Sequence, residues 1–339
     1  MAETKVANII VPEVFLPYMI EESIKKSALI RAGIVVPDPR IDILANSGGT
    51  TVNMPFFKDL TGASQVLSDS ADLTVSNITT GQDIARIHPR GNAWGVNDLA
   101  QALSGDDPMA AIASLVAGWK AADEQAMLIA SLEGVFASNA ANNSSDLIHT
   151  AASESIAGTR AWNDTAPTVM NPIAILDAAQ LLGDASGKFT ALVMHSKCYT
   201  DLLKQELIDY IVPSDGSSRI SMYLDKEVIV DDLCPTRDGT TDGTDTVYQS
   251  FLFGRGAVAR GDGQAPVPVE TDRQALSSND ILIIRNHTLL HPRGFAWQES
   301  SIAGATTGGG PTNLEMAEAA QWTRVYESKN TRCVMIETN

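Results

Sequence analysis

The sequence predicts an α+β fold, and three stretches carry that prediction. Residues 50–88 are strand-like on both sides of a polar segment. Residues 107–138 hold one long helical periodicity, and residues 171–285 alternate helical and strand-like segments. The chain of 339 residues exceeds one ordinary domain and can bury a substantial core.

The first 46 residues read as an arm with one short helix. In "VFLPYMIEESIKKSALIRAG" apolar residues stand at Tyr18, Ile20, Ile24, Leu29 and Ile30, before a stop at Gly33. "VVPDPRIDILANSGG" then breaks regular structure with two prolines and a Gly pair. Next come "TTVNMPFF" and "LTVSNITTGQDIARIH", both β-prone and partly alternating, separated by the polar, short-chained "KDLTGASQVLSDSAD". Together they predict a long two-stranded excursion. An isolated hairpin is marginal in water, so this one should lie against something, and a partner subunit is the natural candidate.

A long helix begins near Asp107, with Asp106 or Asp107 as cap and Pro108 at the first helical position. Met109, Ile112, Val116, Trp119, Ala122, Ala126, Ile129, Leu132 and Phe136 recur at spacings of three and four, and "SNAANNSS" ends the run. Gly118 and Gly134 are close-packing points or slight bends. Residues 140–168 are small and polar and read as loops. "NPIAILDAAQLLGD" is a helix with an Asn-Pro start, "FTALVMH" a strand, and "SKCYTDLLKQELIDYI" a second helix capped by Ser196. "KEVIVDD", "VYQSFLFG" and "DILIIRN" follow as strands, "TLLHPRGFAW" returns to strand character, and "GATTGGGP" is a break. "LEMAEAAQWTRVY" predicts a helix and "TRCVMIET" a terminal strand.

Bulk composition narrows the function classes. Lys plus Arg number 24 against 41 Asp plus Glu, a net charge of −17, which argues against a protein whose main task is gripping nucleic-acid phosphates. It suits a surface that nucleic acid should slide past. No apolar run reaches the ~18–20 residues of a membrane span, and the N-terminus lacks the pattern of a signal peptide, so a cytosolic site of synthesis is expected. Cys198, Cys234 and Cys333 are far apart and never in a C-x-x-C pair, which predicts buried free thiols.

Tests for chemistry return near misses. "GDASGKF" (183–189) is one residue short of a phosphate loop, and Phe189 stands where a magnesium-holding Ser or Thr is needed. "GRGAVA" (254–259) fits a dinucleotide fingerprint, but Pro266 and Pro268 follow where its helix should be, so it reads as a loop. Asp238, Asp242 and Asp245 lack calcium-loop spacing. His287 and His291 are four apart without a third ligand at a motif spacing. No nucleophile elbow or acid–base carboxylate pair stands out, so neither an enzyme nor any cofactor or metal is expected.

One heptapeptide nearly repeats: "HPRGNAW" at 88–94 and "HPRGFAW" at 291–297. The flanks do not match, which argues against a duplication, and a paired histidine site lacks further ligands. Each copy sets Pro and Gly before a Trp, and Trp94, Trp119 and Trp297 are expected to be buried structural residues.

The order of arm, β excursion, long helix, α/β region and returning β segment resembles the major capsid proteins of tailed bacteriophages, with the Hong Kong 97-like fold. The wording of "WGVNDLAQALSGDDPMAAIASLV", "MHSKCYTDLLKQELIDYIVPSDG", "ILIIRNHTLLHPRGFAW" and "PTNLEMAEAAQWTRVYESKN" is similar to blocks of one such family. The resemblance implies an N-terminal arm (1–46) and an extended loop (47–90) reaching over a neighbour. It implies a peripheral domain (91–168 and 286–339) built on the 107–138 helix, and an axial domain (169–285). Its further implications are hexamers and pentamers of this chain closing an icosahedral head around double-stranded DNA, in the virion, after assembly in the bacterial cytoplasm. Phe56, Phe57, Lys58, Asp59 and Leu60 become the candidate inter-subunit contacts. A separate scaffolding protein, a portal protein and a decoration protein are the implied partners, with no membrane and no sequence-specific DNA contact. One member type links subunits covalently through a loop lysine; Lys58 and Asn330 would be the pair here, although a lone Lys in a polar loop is usually solvated. The alternatives are an encapsulin-like shell around enzyme cargo and, from another class, a soluble hydrolase or nucleotide-binding enzyme resting on the near-miss phosphate loop.

Overall fold

The computed structural model describes residues 33–46, 48–58, 60, 62, 64–67, 69, 72–99, 108–151, 169–211, 220–238, 246–263, 265–299 and 309–339. The predicted arm helix, the Asp106/Asp107 cap, Asp59, and Asp242 with Asp245 lie outside these residues.

The chain enters through strand β1 (Val35–Pro37) and helix α1 (Pro39–Ala45), a stretch the two prolines had suggested was irregular. Pro39 instead occupies the first helical position, where its missing N–H costs nothing, and the Asp38 carbonyl accepts from Ile41 N–H. Strands β2 (Thr51–Phe57) and β3 (Thr80–Arg86) pair antiparallel, Thr51 opposite Arg86 and Phe57 opposite Thr80. This is the predicted excursion, with regular pairing confined to its root. β4 (His88–Asn97) follows at once. Helix α2 (Pro108–Asn142) runs 35 residues, about 52 Å at 1.5 Å per residue, ending four residues past the predicted stop. Its second half is packed nearly all round, whereas the described side chains from Ala111 to Asp123 are half-buried.

The next elements are β5 (Ile148–Thr150), α3 (Pro172–Gln180), β6 (Phe189–Met194), α4 (Ser196–Lys204) and β7 (Asp209–Ile211). The Asn171 side chain caps α3 by accepting from Ala174 N–H at 2.8 Å. The cap of α4 is His195, whose ring nitrogen accepts from Lys197 N–H, and not the expected Ser196. That helix ends at Lys204, because Glu206 turns left-handed with φ 55°. After it come β8 (Ile220–Tyr223), β9 (Lys226–Val230), β10 (Thr236–Asp238), β11 (Thr246–Gly254), β12 (Val258–Gly263), β13 (Val269–Gln274), β14 (Asn279–Pro292) and β15 (Phe295–Trp297). The helix predicted at 314–326 is replaced by the one-turn α5 (Asn313–Met316), a 3-10 turn and strand β16 (Trp322–Arg324). β16 pairs with β15, and a local bond from Trp322 Nε1 to the Met316 carbonyl (2.8 Å), six residues back, holds the bend. α6 (Ser328–Thr331) and β17 (Cys333–Thr338) close the chain.

Two large sheets organise these elements. The first has the order β5-β17-β11-β6-β9-β8-β7, with β10 beside β11. The second runs β1-β12-β14-β13, and β4 lies along the other edge of β14. β17 and β6, both interior strands of the first sheet, are almost wholly buried, as near-continuous apolar runs should be. Phe136 of α2 stacks on Phe251 of β11 with ring centroids 5.6 Å apart, tying the long helix to that sheet. The expected 285/286 division falls inside β14, and the terminal strand lies between β5 and β11 in the first sheet. Among the described residues, all three cysteines are free and buried.

Candidate functional site

The excursion and its root are the most distinctive surface of the chain. At the root the alternation of β2 and β3 is one-sided. Val52, Met54 and Phe56 share a face with Ala85, Asp83 and Gly81, and that face turns inward; Asn53, Pro55 and Phe57 turn out. Val52 and Ala85 join Ile41, Ile87, Ala259 and Leu289 in a small core separate from the main one. Beyond the root that face is open to solvent at every described residue. Every described residue from Phe57 to Thr80 is exposed, including Leu60 at 81 %, Val66 at 94 %, Leu67 at 78 % and Val75 at 87 %. The arms stay together through Gln65, whose side-chain amide donates to the Thr74 carbonyl (2.9 Å) and accepts from Thr74 N–H (2.8 Å).

The candidate contact residues separate by position. Phe57, Lys58 and Leu60 are exposed. Phe56 is not available in the same way: its ring lies over Gly81 and meets the ring of Tyr326 edge-on, with centroids 4.8 Å apart, inside its own chain. Lys58 and Asn330 line one cleft with Arg324, Tyr326 and Arg332 of the same chain.

The two heptapeptide copies also separate. The first opens β4; the second closes β14 and turns into β15. Because β4 and β14 are antiparallel neighbours, with His88 opposite Thr288, the two histidines come near each other, and both are buried. His291 Nε2 donates to Asp83 Oδ1 at 2.9 Å, and Asp83 Oδ2 accepts from Gly294 N–H at 3.2 Å. His88 is held neutral, its pKa pulled to about 3 by burial first and then by Arg90, Arg86 and His291. Arg86, buried on β3, pairs with Glu299 at 2.7 Å and donates to the Gly309 carbonyl at 2.9 Å. Among the described residues no group of three or more His, Cys, Asp or Glu side chains is placed to hold a metal ion.

Of the tryptophans expected to be buried, Trp297 is 1 % exposed and meets Trp322 edge-on at 5.1 Å. Trp94 and Trp119 are only half-buried, a correction to the sequence expectation. They meet each other edge-on at 5.1 Å, where β4 passes the incompletely covered first half of α2. The stretch resembling a phosphate loop is a 3-10 turn at Gly183–Lys188, with Asp184 paired to Lys329 at 2.7 Å. It presents no strand–loop–helix cradle for phosphate.

Asp83 and Tyr326 went unmarked by motif, whereas Gly294 belongs to the second heptapeptide. The available signal was the alternation "TGQDIARIH", which puts the charged Asp83 on the inward face beside Ala85 and therefore demands a partner.

Residues 108–335 match the family model described as major capsid protein 13-like (Gp13-like). The chain is 42 % identical over 340 residues to the major capsid protein of Bacillus phage SPP1, covering 99 % of this chain and 98 % of that protein. Among solved structures it is similar to the capsid of Ralstonia phage GP4 (TM-score 0.57, 9 % identity), over 79 % of this chain and 87 % of that one. It is also similar to the Cyanophage Pam1 capsid asymmetric unit (TM-score 0.54, 14 % identity), over 87 % and 86 % respectively.

Proposed function

As a member of the Gp13-like major capsid protein family, the chain is a structural protein of a phage capsid, and we propose that its extended loop joins the copies of the shell. One observation carries the proposal: every described residue from Phe57 to Thr80 is exposed, with large apolar side chains spread along both arms. A two-stranded ribbon with such side chains in water is marginal by itself and gains stability when another surface covers it. In a closed shell of identical subunits that surface is a second copy, and every subunit both gives and receives the contact. Phe57, Lys58 and Leu60 belong to the giving surface, while Phe56 stays with its own chain.

In this reading residues 1–46 are the arm, whose last part, β1 and α1, packs on the body, and 47–90 the extended loop, whose last residues enter β4. The second sheet with the first half of α2 forms the peripheral part, and the eight-stranded sheet the axial part, which gathers hexamers and pentamers around their axes. The shell is icosahedral and encloses double-stranded DNA in the virion. A net charge of −17 favours a lining along which DNA moves without adhering. A scaffolding protein, a portal and a decoration protein are the further partners, and assembly takes place in the host cytoplasm. The family placement displaces the enzyme-filled nanocompartment and the soluble-hydrolase alternatives.

Electron microscopy of the expressed chain, with and without its candidate scaffolding protein, tests the proposal. Closed shells or capsomer-sized rings are the expected result, with nuclease-protected DNA in particles from infected cells. A monodisperse monomer under all these conditions would refute it.

A further inference from the structure

We infer that Asp83 is a positioning residue for the extended loop, acting through His291 and Gly294 as a latch that fixes the loop's angle to the body. The latch is built from both strands of the root. Asp83 stands on β3 and its carboxylate accepts from His291 Nε2, at the end of β14, at 2.9 Å and from Gly294 N–H, in the β14–β15 turn, at 3.2 Å. Both side chains are buried, 4 % and 1 % exposed, so water does not compete for either bond. Facing a carboxylate acceptor, His291 must carry its proton on Nε2.

The same turn is gripped from the β2 side. Phe56, opposite Gly81, lays its ring over that glycine and edge-on to Tyr326. Tyr326 in turn covers Gly294, where a β-carbon would stand 2.8 Å from the ring, and φ at Gly294 is +89°. The Gly294 carbonyl accepts from Val325 N–H at 2.8 Å. A single turn, Arg293–Gly294, thereby contacts β3 through a carboxylate and β2 through an aromatic pair. Both strands of the ribbon are thus tied to the same turn, at separate points, and this restrains the ribbon from swinging about its root. Without the carboxylate the root keeps the aromatic contact, the small Ile41–Leu289 core and the bonds of Arg86 to Glu299 and Gly309, but loses the tie from Asp83 to His291 and Gly294.

This gives the repeated heptapeptide a use. The first copy supplies a buried neutral histidine next to the latch, and the second supplies the latch's donors. The inference concerns the loop's direction, and so deepens the reading that the loop joins copies.

Double electron–electron resonance on the full-length chain tests it. Spin labels go on the exposed Val66→Cys and Leu314→Cys, with labelled chains diluted into unlabelled ones; the native thiols are buried. A fully extended chain of nine residues, the separation of Phe57 and Val66, spans about 30 Å at 3.3–3.4 Å per residue, and on that upper bound a 20° swing displaces the label by about 10 Å. Asp83→Asn sets an amide N–H₂ against one of the two donors; it and His291→Ala should broaden or shift the distance distribution by that amount. His291→Gln, which keeps a donor near the Nε2 position, should restore the wild-type distribution. Val228→Ala, in the main core, lowers stability without touching the latch and should leave the distribution unchanged. If Asp83→Asn keeps the wild-type distribution, or Val228→Ala broadens it equally, the inference is overturned. Shell formation is scored separately. A well-held loop in a chain that never closes shells would remove the proposed function and leave the latch standing, and a shell-forming Asp83→Asn with a wild-type distribution would do the reverse.

Discussion

His88 shows how one buried side chain ties stability to pH. Its imidazole is 1 % exposed, among Arg86, Arg90 and His291, and its pKa lies near 3 against 6.5 for a free histidine. Between those values the unfolded chain binds a proton that the folded chain does not. Stability therefore falls as pH drops from about 6.5 towards 3 and is level above 6.5. One such proton contributes a slope of up to ~1.4 kcal/mol per pH unit. Asp123, Glu133 and Asp231 act with the opposite sign, because burial raises their pKa values and acid relieves them. Urea titrations of wild type and His88→Gln from pH 7 to pH 4 separate the terms: the variant should lose stability more shallowly by about one proton. Parallel curves would show that His88 is not the titrating group.

At the scale of elements, α2 and the loop divide the tasks of holding and reaching. The packed half of α2 lets the 312–322 segment approach at Gly134. A β-carbon there would stand 2.0 Å from the Met316 carbonyl oxygen and 2.6 Å from Trp322 Nε1. Gly134→Ala gains ~1 kcal/mol of helix propensity, but it overpacks against backbone and disturbs the Trp322–Met316 bond, at about 1–3 kcal/mol or more. A net loss in chemical denaturation is expected, and an unchanged or raised midpoint would contradict this packing. The loop should behave oppositely. Val66→Asp and Leu67→Asp alter side chains 94 % and 78 % exposed, so the isolated subunit should shift by no more than ~0.5 kcal/mol. Shell yield, scored by sedimentation and microscopy, should collapse, because a charge would be buried in the contact between copies. Wild-type yield from both variants would show that the loop tip lies free in the shell.

Over the whole molecule, local sequence determined the elements whose periodicity is long or whose breakers are strong. The long helix could be read from apolar spacing, the paired excursion from alternation on both sides of a polar stretch, and the α3 start from Asn171–Pro172. The thiol assignment came from spacing alone, and the three cysteines are buried and free. Where short-range preference competed with distant partners, tertiary structure decided. The 314–326 segment has helical composition, yet pairing with β15 and the Trp322–Met316 bond make it a turn and a strand. Trp94 and Trp119 are apolar enough for a core, but the described side chains in the first half of α2 are only partly covered, and both indoles stay half-buried. The heptapeptide could be seen as a repeat, but its role could not. Asp83 is 208 residues from His291 in sequence and 2.9 Å away in space, and no local pattern encodes that distance. Periodicity and turn chemistry act within a few residues and are written in the chain; a buried carboxylate finds its donors only when strands far apart in sequence share one sheet.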